Sequence, residues 1–319
     1  MKQLRVLSLF DGMSCGQLAI SQLGFNYEYY ASEVDKHAIA VTMSNFPDTI
    51  QLGSVERWPL WSIDFADIDL IIGGSPCQGF SFAGKQLNFD DPRSKLFFVY
   101  VEILNYVRSL NPNVKFLLEN VKMKKEYEAV ISEQLGVQPI EINSNLVSAQ
   151  NRKRLYWTNI RGVTQPEDRG IYLKDVLQEE VDEKYYLSGK SRAYLNRAEM
   201  NQRYIQSAES EKSKCVVANY CKGVPYNVLN ERQIKNLKSE AEKANTFLAT
   251  SYKGSQANGM TLVQSENYRF RRLTPIECER LQTVPDNYTA AASDTQRYRM
   301  LGNGWTVEVI KHILKNLNV

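Results

Sequence analysis

With 319 residues the chain is long enough for one large domain or two, with a sizeable buried core. Its 43% hydrophobic and 24% charged content is ordinary for a globular protein, and no run of about 18 apolar residues offers a membrane span. The net charge of +3 is too small by itself to announce a nucleic-acid partner, and only two histidines, His37 and His312, argue against a histidine base or a multi-histidine metal site.

Residues 4–10 (Leu-Arg-Val-Leu-Ser-Leu-Phe) form a predicted buried strand, which the N-terminus enters directly with no cleavable-signal pattern. The turn Phe10-Asp11-Gly12-Met13-Ser14-Cys15-Gly16 leads into a helix predicted over 17–23, and one apparent strand further on stand Ser32-Glu33-Val34-Asp35. Residues 68–72 read as another strand, followed at once by Gly73-Gly74-Ser75-Pro76-Cys77. Leu96, Val99, Ile103, Leu104 and Val107, at helical spacing, predict a helix over 95–109. A further strand over 114–118 ends at Glu119-Asn120. Strands alternating with helices imply βαβ units and a mostly parallel sheet, whose ligands sit beyond the carboxyl ends of the strands.

The pattern changes near Gly162. Residues 165–268 have weak apolar periodicity, many Asn, Ser, Lys and Tyr, and turns at Lys222-Gly223, Lys253-Gly254 and Asn258-Gly259. One helix is predicted there, over 231–245, with Ile234, Leu237, Ala241 and Ala244 on one face. From Lys212 to Arg272 there are 11 Lys/Arg against 4 Asp/Glu, a local +7 that leaves the rest of the chain at −4. Such a segment is either a footprint for phosphates or a solvated lysine-rich face. Helical character returns at Thr274-Pro275-Ile276-Glu277, with threonine as cap and proline in the first position. A last helix is predicted over 307–317, packing back on the first domain. The expected organisation is a catalytic domain, 1–164 and 270–319, and a smaller irregular domain, 165–269.

Five cysteines, Cys15, Cys77, Cys215, Cys221 and Cys278, are odd in number, scattered and without a C-x-x-C pair, which argues against a disulfide framework and against zinc. Four segments carry chemistry. Phe10–Gly16 follows a strand and precedes a helix, where glycines admit a ligand and a helix N-terminus favours a carboxylate. It is not G-x-G-x-x-G, so the dinucleotide fingerprint fails; a plain structural turn would look the same. In Gly73–Ser81 a cysteine sits in a loop constrained by proline and glycine, poorly placed for the core packing usual for a free thiol. Glu119, at a neighbouring strand end with no histidine at hand, suits an acid that protonates substrate. Gln150-Asn151-Arg152-Lys153-Arg154 sets cations beside an apolar tail, either for phosphate or base recognition or as a solvated turn.

Taken in order, these segments resemble the cytosine carbon-5 DNA methyltransferase family. The resemblance rests on Ser8-Leu9-Phe10-Asp11-Gly12, Gly74-Ser75-Pro76-Cys77-Gln78-Gly79-Phe80-Ser81, Ala83-Gly84-Lys85-Gln86, Arg93-Ser94-Lys95-Leu96-Phe97, Glu119-Asn120-Val121, Gln150-Asn151-Arg152-Lys153-Arg154, Arg272-Leu273-Thr274-Pro275-Ile276-Glu277-Cys278 and Leu301-Gly302-Asn303-Gly304. It spans residues 4–309 except for the stretch near 165–268. Some motifs are similar to the animal de novo enzymes, and Gly84-Lys85-Gln86 is more like bacterial and phage ones.

The resemblance implies a Rossmann-like S-adenosylmethionine-dependent methyltransferase fold with a target-recognition domain at 165–269. It implies covalent catalysis by Cys77, with Glu119, Arg152 and Arg154 completing the catalytic group, on a cytosine flipped from duplex DNA. S-adenosylmethionine, leaving as S-adenosylhomocysteine, is expected against Phe10, Asp11, Gly12, Ser14, Gly16, Glu33, Val34, Ser54, Val55, Pro76, Asn303 and Trp305, with no metal. Ser54 departs from the pattern by replacing a common acid, which affects the usual adenine contact. Gln78, Ser81, Lys85, Arg93, Tyr220, Lys222, Tyr252 and Lys253 are the expected DNA contacts, and 81–91 resembles a lid over the flipped base. A monomer in the cytoplasm of a prokaryotic cell or phage-infected host is expected, with double-stranded DNA and a cognate restriction endonuclease as partners. The rival with the same fold acts on tRNA, but its usual Cys-Phe-Thr motif is absent; the other rival is an inert DNA-binding regulator, against which Cys77, Glu119 and Arg154 argue.

Overall fold

The computed structural model describes residues 3–75, 92–185, 244–245, 262–265 and 269–318. The chain runs through β1 (Leu4–Leu9), α1 (Cys15–Gln22), β2 (Tyr27–Ser32), α2 (Lys36–Asn45), β3 (Ile50–Gln51), β4 (Leu70–Gly73), α3 (Pro92–Leu110), β5 (Lys115–Val121), α4 (Lys125–Leu135), β6 (Ile140–Asn143), β7 (Gln150–Asn151) and β8 (Lys153–Thr158). Then follow α5 (Leu173–Val176), β9 (Ala244–Asn245), β10 (Leu262–Ser265), β11 (Arg269–Arg272), α6 (Pro275–Leu281), α7 (Asp294–Asn303) and α8 (Val307–Leu314).

A seven-stranded sheet has the order β3-β2-β1-β4-β5-β8-β6. Pairings from β3 across to β5 are parallel, and β8 runs antiparallel to β5. This is the expected α/β fold with a mostly parallel sheet. Strands covered on both faces read as continuous apolar runs; β4, Leu-Ile-Ile-Gly, is buried at every position.

Register fixes where the loops emerge. Leu9 stands opposite Ser32 on one side and Gly73 on the other, and Gly73 stands opposite Leu118. One row therefore crosses four strands, and the residues immediately after it are Glu33, Phe10, Gly74 and Glu119. All four sit at the carboxyl edge, where an open parallel sheet binds its ligands.

Packing divides the chain into two units: Met1–Ile142, Lys153–Gln165 and Val307–Val319 form one, and Asn143–Arg152 with Pro166–Thr306 the other. In the first, Phe97, Tyr100, Ile103, Leu104 and Val107 of α3 pack on Leu9, Ile71, Phe116 and Leu118 of the sheet. Gly73 permits the close approach: a Cβ there would lie 2.9 Å from the Leu9 carbonyl oxygen and 3.0 Å from the Tyr100 ring. Helix α8 packs against α1, as expected for the last helix. In the second unit, Thr274 caps α6 as its sequence foretold, with its hydroxyl accepting from Glu277 N–H and Glu277 accepting from Thr274 N–H.

Most element ends shift by one to three residues from expectation, and three differences bear on the site or the second unit. Strand β5 runs on to Val121 because β8 pairs with it as far as Val121–Arg154, so Glu119 lies within a strand. Helix α8 ends at Leu314. Of the helix expected over 231–245, residues 231–243 lie outside the described residues, and Ala244–Asn245 pair with β7 as a strand. Among the described residues no helix is long and apolar enough to cross a membrane.

Candidate active site

The turn after β1 is built from uncommon backbone. Phe10, Gly12 and Ser14 all have left-handed φ values, 58°, 61° and 59°. Glycine adopts this freely, whereas Phe and Ser pay about 1–2 kcal/mol each. Side chains hold the turn in place. The Asp11 carboxylate accepts from the hydroxyls of Ser8 (2.6 Å), Tyr29 (2.8 Å) and Ser14. Glu33, one residue beyond β2, accepts from the N–H groups of Gly12 (2.8 Å), Val34 (2.7 Å) and Asp35 (2.8 Å). Burial pushes the Asp11 carboxyl up to about 6, against the pull of the three hydroxyls, and the nearby Glu33 charge pushes the same way.

Among the described residues, a Cβ on Gly12 or on Gly53 would meet nothing within 4 Å. Val34 exposes 71% of its surface. Ser54 is the N-cap of a short 3-10 helix, Val55–Leu60, its hydroxyl accepting from Glu56 N–H at 3.4 Å; Val55 is buried. Ser14 and Gly16 are buried at the start of α1.

At the β5 end of the same row, Glu119 and Arg154 form an ion pair of 2.9 Å, both largely buried. Cross-strand pairing explains it: Glu119 faces Tyr156 and Val121 faces Arg154, so the two long side chains are diagonal neighbours on adjacent strands. Arg154 also donates to the Lys153 carbonyl. Next to Glu119, the buried Asn120 amide donates to the carbonyl (3.4 Å) and hydroxyl (3.3 Å) of Ser75, two residues before Cys77. The strand bearing Glu119 thus holds Ser75, two residues beyond the end of β4.

Within the second unit Arg152 is 2% exposed and donates to the carbonyls of Gly302 (3.2 Å) and Gly304 (3.0 Å), which flank Asn303. Gln282 donates to Leu301 O and Gly304 O, and its own oxygen accepts from Gln150 and Thr306. Arg152 and Gln282 together clasp the turn that leads into Trp305.

The structure therefore brings Phe10, Gly12, Glu33 and Glu119 to one sheet edge and pairs Glu119 with Arg154. Pro76, Cys77, Gln78, Ser81, Lys85, Tyr220, Lys222, Tyr252 and Lys253 lie outside the described residues, as does the expected lid, 81–91; Arg93 lies on α3. Sequence reasoning missed Tyr29, Ser75, Gln282 and Thr306 as partners. Ser8 did carry a signal, a hydroxyl inside an otherwise apolar strand; Gln282 carried none, since a glutamine after a helix reads as surface.

Comparison with known proteins agrees with this geometry. The sequence model of the family described as C-5 cytosine-specific DNA methylase matches residues 4–318. The type II methyltransferase M1.ScrFI of Lactococcus lactis subsp. cremoris is 30% identical over 98% of this chain and 77% of its own length. The type II methyltransferase M.HpaII of Haemophilus parainfluenzae is 29% identical, over 98% and 89%. The orphan methyltransferase M.SPRI of Bacillus phage SPR is 26% identical, over 99% and 98%. Among solved structures, the Entamoeba histolytica methyltransferase EhMeth superposes with a TM-score of 0.70 at 18% identity, covering 99% of this chain and 98% of its own. At that identity the likeness is one of fold alone.

Proposed function

The chain belongs to the C-5 cytosine-specific DNA methylase family and is a DNA cytosine-5 methyltransferase, and on that premise we propose that Cys77 is its covalent nucleophile and S-adenosylmethionine its methyl donor. The observation that carries the reading is the buried Glu119–Arg154 pair, set in the sheet row from which the Cys77 loop departs. Carbon 5 of cytosine is a poor nucleophile. Addition of the Cys77 thiolate to carbon 6 forms a sulfur–carbon bond and pushes the ring electrons toward nitrogen 3 and carbon 5. Glu119 contacts nitrogen 3 and the amino group and supplies the proton that neutralises the charge there. Arg154 fixes the Glu119 carboxylate and holds the base carbonyl, while Arg152 supports the turn carrying Asn303. After carbon 5 is methylated a base takes its proton, whose bonding pair re-forms the ring double bond as the sulfur–carbon bond breaks and frees the thiolate, and nitrogen 3 returns its proton to Glu119.

The residues around the β1 turn fit the donor. A carboxylate offers about four acceptor positions, and the three N–H bonds to Glu33 leave one for a ribose hydroxyl. Val34 offers an apolar face for an adenine, and the open space at Gly12 and Gly53 admits a ligand against backbone. Phe10, Asp11, Ser14, Gly16, Ser54, Val55, Pro76, Asn303 and Trp305 complete the proposed set. When bound, the cofactor supplies an electrophilic methyl on sulfur and leaves as S-adenosylhomocysteine.

On the same reading 165–269 is the target-recognition domain, and its basic segment faces the DNA through Tyr220, Lys222, Tyr252 and Lys253. Gln78, Ser81, Lys85 and Arg93 are proposed to line the flipped base and its strand. The type II names of the relatives support a cognate restriction endonuclease as partner, and their bacterial and phage sources support a cytoplasmic setting. A monomer is proposed.

The test is transfer of labelled methyl from S-adenosylmethionine to duplex DNA of varied sequence, expected with this chain and lost in Cys77→Ala. DNA containing 5-fluorocytosine should form a covalent adduct that Cys77→Ser cannot form. Transfer to RNA but not to DNA would overturn the substrate assignment, and bound cofactor without transfer to either would overturn the enzymatic one.

A further inference from the structure

We propose that Asp11 is a positioning residue for the cofactor, whose ionised carboxylate holds the turn after β1 in its binding conformation through the hydroxyls of Ser8, Ser14 and Tyr29. The inference rests on the cofactor reading above and deepens it.

The turn carries two non-glycine residues with left-handed backbone, Phe10 and Ser14, on either side of Asp11. Such residues persist only where their surroundings hold them. Asp11 provides that hold from three directions: Ser8 lies on β1, Tyr29 on β2 and Ser14 at the N-cap of α1. Its N–H donates to Ser32 O at 3.1 Å, and Gly12, the next residue, is tied to Glu33. All three hydroxyls donate to an ionised carboxylate. A protonated one carries a hydrogen on one oxygen and loses the charge that strengthens the three bonds, so its hold on the turn weakens.

The charged and titratable groups around Asp11 are Tyr29 on β2 and Glu33 after it; beyond Glu33 stand Asp35, Lys36 and His37 at the start of α2. Burial favours the protonated form, the three hydroxyls oppose it and Glu33 adds to it, placing the midpoint at about 6. The sign follows. Below the midpoint Asp11 is protonated and the turn loosens, so cofactor affinity falls as pH falls. The contribution of Asp11 to folding runs the other way: a carboxyl raised in the folded state stabilises the fold at low pH, and that contribution fades as pH rises toward the midpoint. Acid unfolding and loss of the turn therefore have opposite signatures for this group.

The experiment is calorimetric titration of the full chain with S-adenosylhomocysteine between pH 5 and 7.5, with thermal unfolding recorded alongside. If only the ionised form binds, Kd at pH 5 exceeds that at pH 7.5 by about tenfold, with a midpoint near 6. Asp11→Asn should bind more weakly at pH 7.5 and show no step. Tyr29→Phe, which keeps the carboxylate and removes one donor, should move the midpoint to higher pH. His37→Asn should keep the step, since that imidazole lies beyond Glu33. A flat wild-type profile, the same step in Asp11→Asn, or an unmoved midpoint in Tyr29→Phe would overturn the proposal. Absence of binding at pH 7.5 would instead overturn the cofactor reading beneath it.

Discussion

Replacing Glu119 separates its structural from its chemical work. The carboxylate and Arg154 meet at 2.9 Å with about a tenth of each side chain exposed, so the guanidinium has little water to turn to. Removing one partner of such a buried pair typically costs about 3–5 kcal/mol. Arg154 keeps its bond to the Lys153 carbonyl, which places Glu119→Ala at the lower end, about 3 kcal/mol. Glu119→Gln retains an oxygen acceptor and exchanges a charge-assisted bond for a neutral one, a loss of about 1 kcal/mol. Arg154→Ala should cost about as much as Glu119→Ala, and the double variant well under the sum, leaving a coupling of about 2 kcal/mol. Urea unfolding of the four proteins measures the cycle. In single-turnover methyl transfer, Glu119→Gln should lose about 10²–10⁴ in rate for that loss of about 1 kcal/mol in stability, because the amide cannot deliver a proton. Strict additivity in the cycle would refute the pair as a coupled unit, and near-normal turnover in Glu119→Gln would remove the acid role.

Asn120→Ala should strand the buried Ser75 carbonyl and hydroxyl at a cost of about 1–3 kcal/mol, and slow adduct formation with 5-fluorocytosine DNA at least about tenfold with S-adenosylhomocysteine affinity unchanged; trapping rates and calorimetry check both halves. Trp157→Ala removes a fully buried ring whose N–H donates to the Ser132 hydroxyl at 2.9 Å, and should lower the unfolding free energy by about 3–5 kcal/mol in urea. Ser54→Asp keeps an equally good N-cap, so stability should stay within about 0.5 kcal/mol. The same change should tighten S-adenosylmethionine binding several-fold by restoring the acid found at that place in the family, and an unchanged Kd in calorimetry would count against an adenine contact there.

Much of this architecture was legible because its signals are local. The run 68–72 is apolar at every position but Asp69, and the α3 apolar spacing selects one side of a helix; a strand forms over Leu70–Gly73, and that α3 side packs on the sheet. Thr274-Pro275 and Glu277 are a self-contained cap. What escaped is set by pairing across distance. Nothing in Lys115–Val121 says where the strand ends, since its last three residues are held by β8, some 35 positions later in the chain. The roles of Arg152 and Gln282 escaped for the same reason: each satisfies carbonyls near Gly302–Gly304, and a sequence does not announce which buried donor will serve them. The three hydroxyls that the Asp11 carboxylate accepts from come from β1, β2 and the start of α1, and only the fold shows that they converge.

The placement of the site follows from topology more than from any motif. From β1 the chain winds outward through β2 to β3, then returns to lay β4 on the other side of β1. Loops leaving β1 and β4 must therefore part in opposite directions, and the crevice they open is where an open parallel sheet takes a ligand. Phe10–Gly12 leaves from one lip and Gly74–Ser75 from the other, with Leu9 and Gly73 paired directly beneath. Gly73 has a second duty at that point, since any side chain there would strike both the Leu9 carbonyl and the Tyr100 ring. The turn held by Asp11 and the Ser75 backbone held by Asn120 are thus neighbours by register, although they lie some 65 positions apart in the chain.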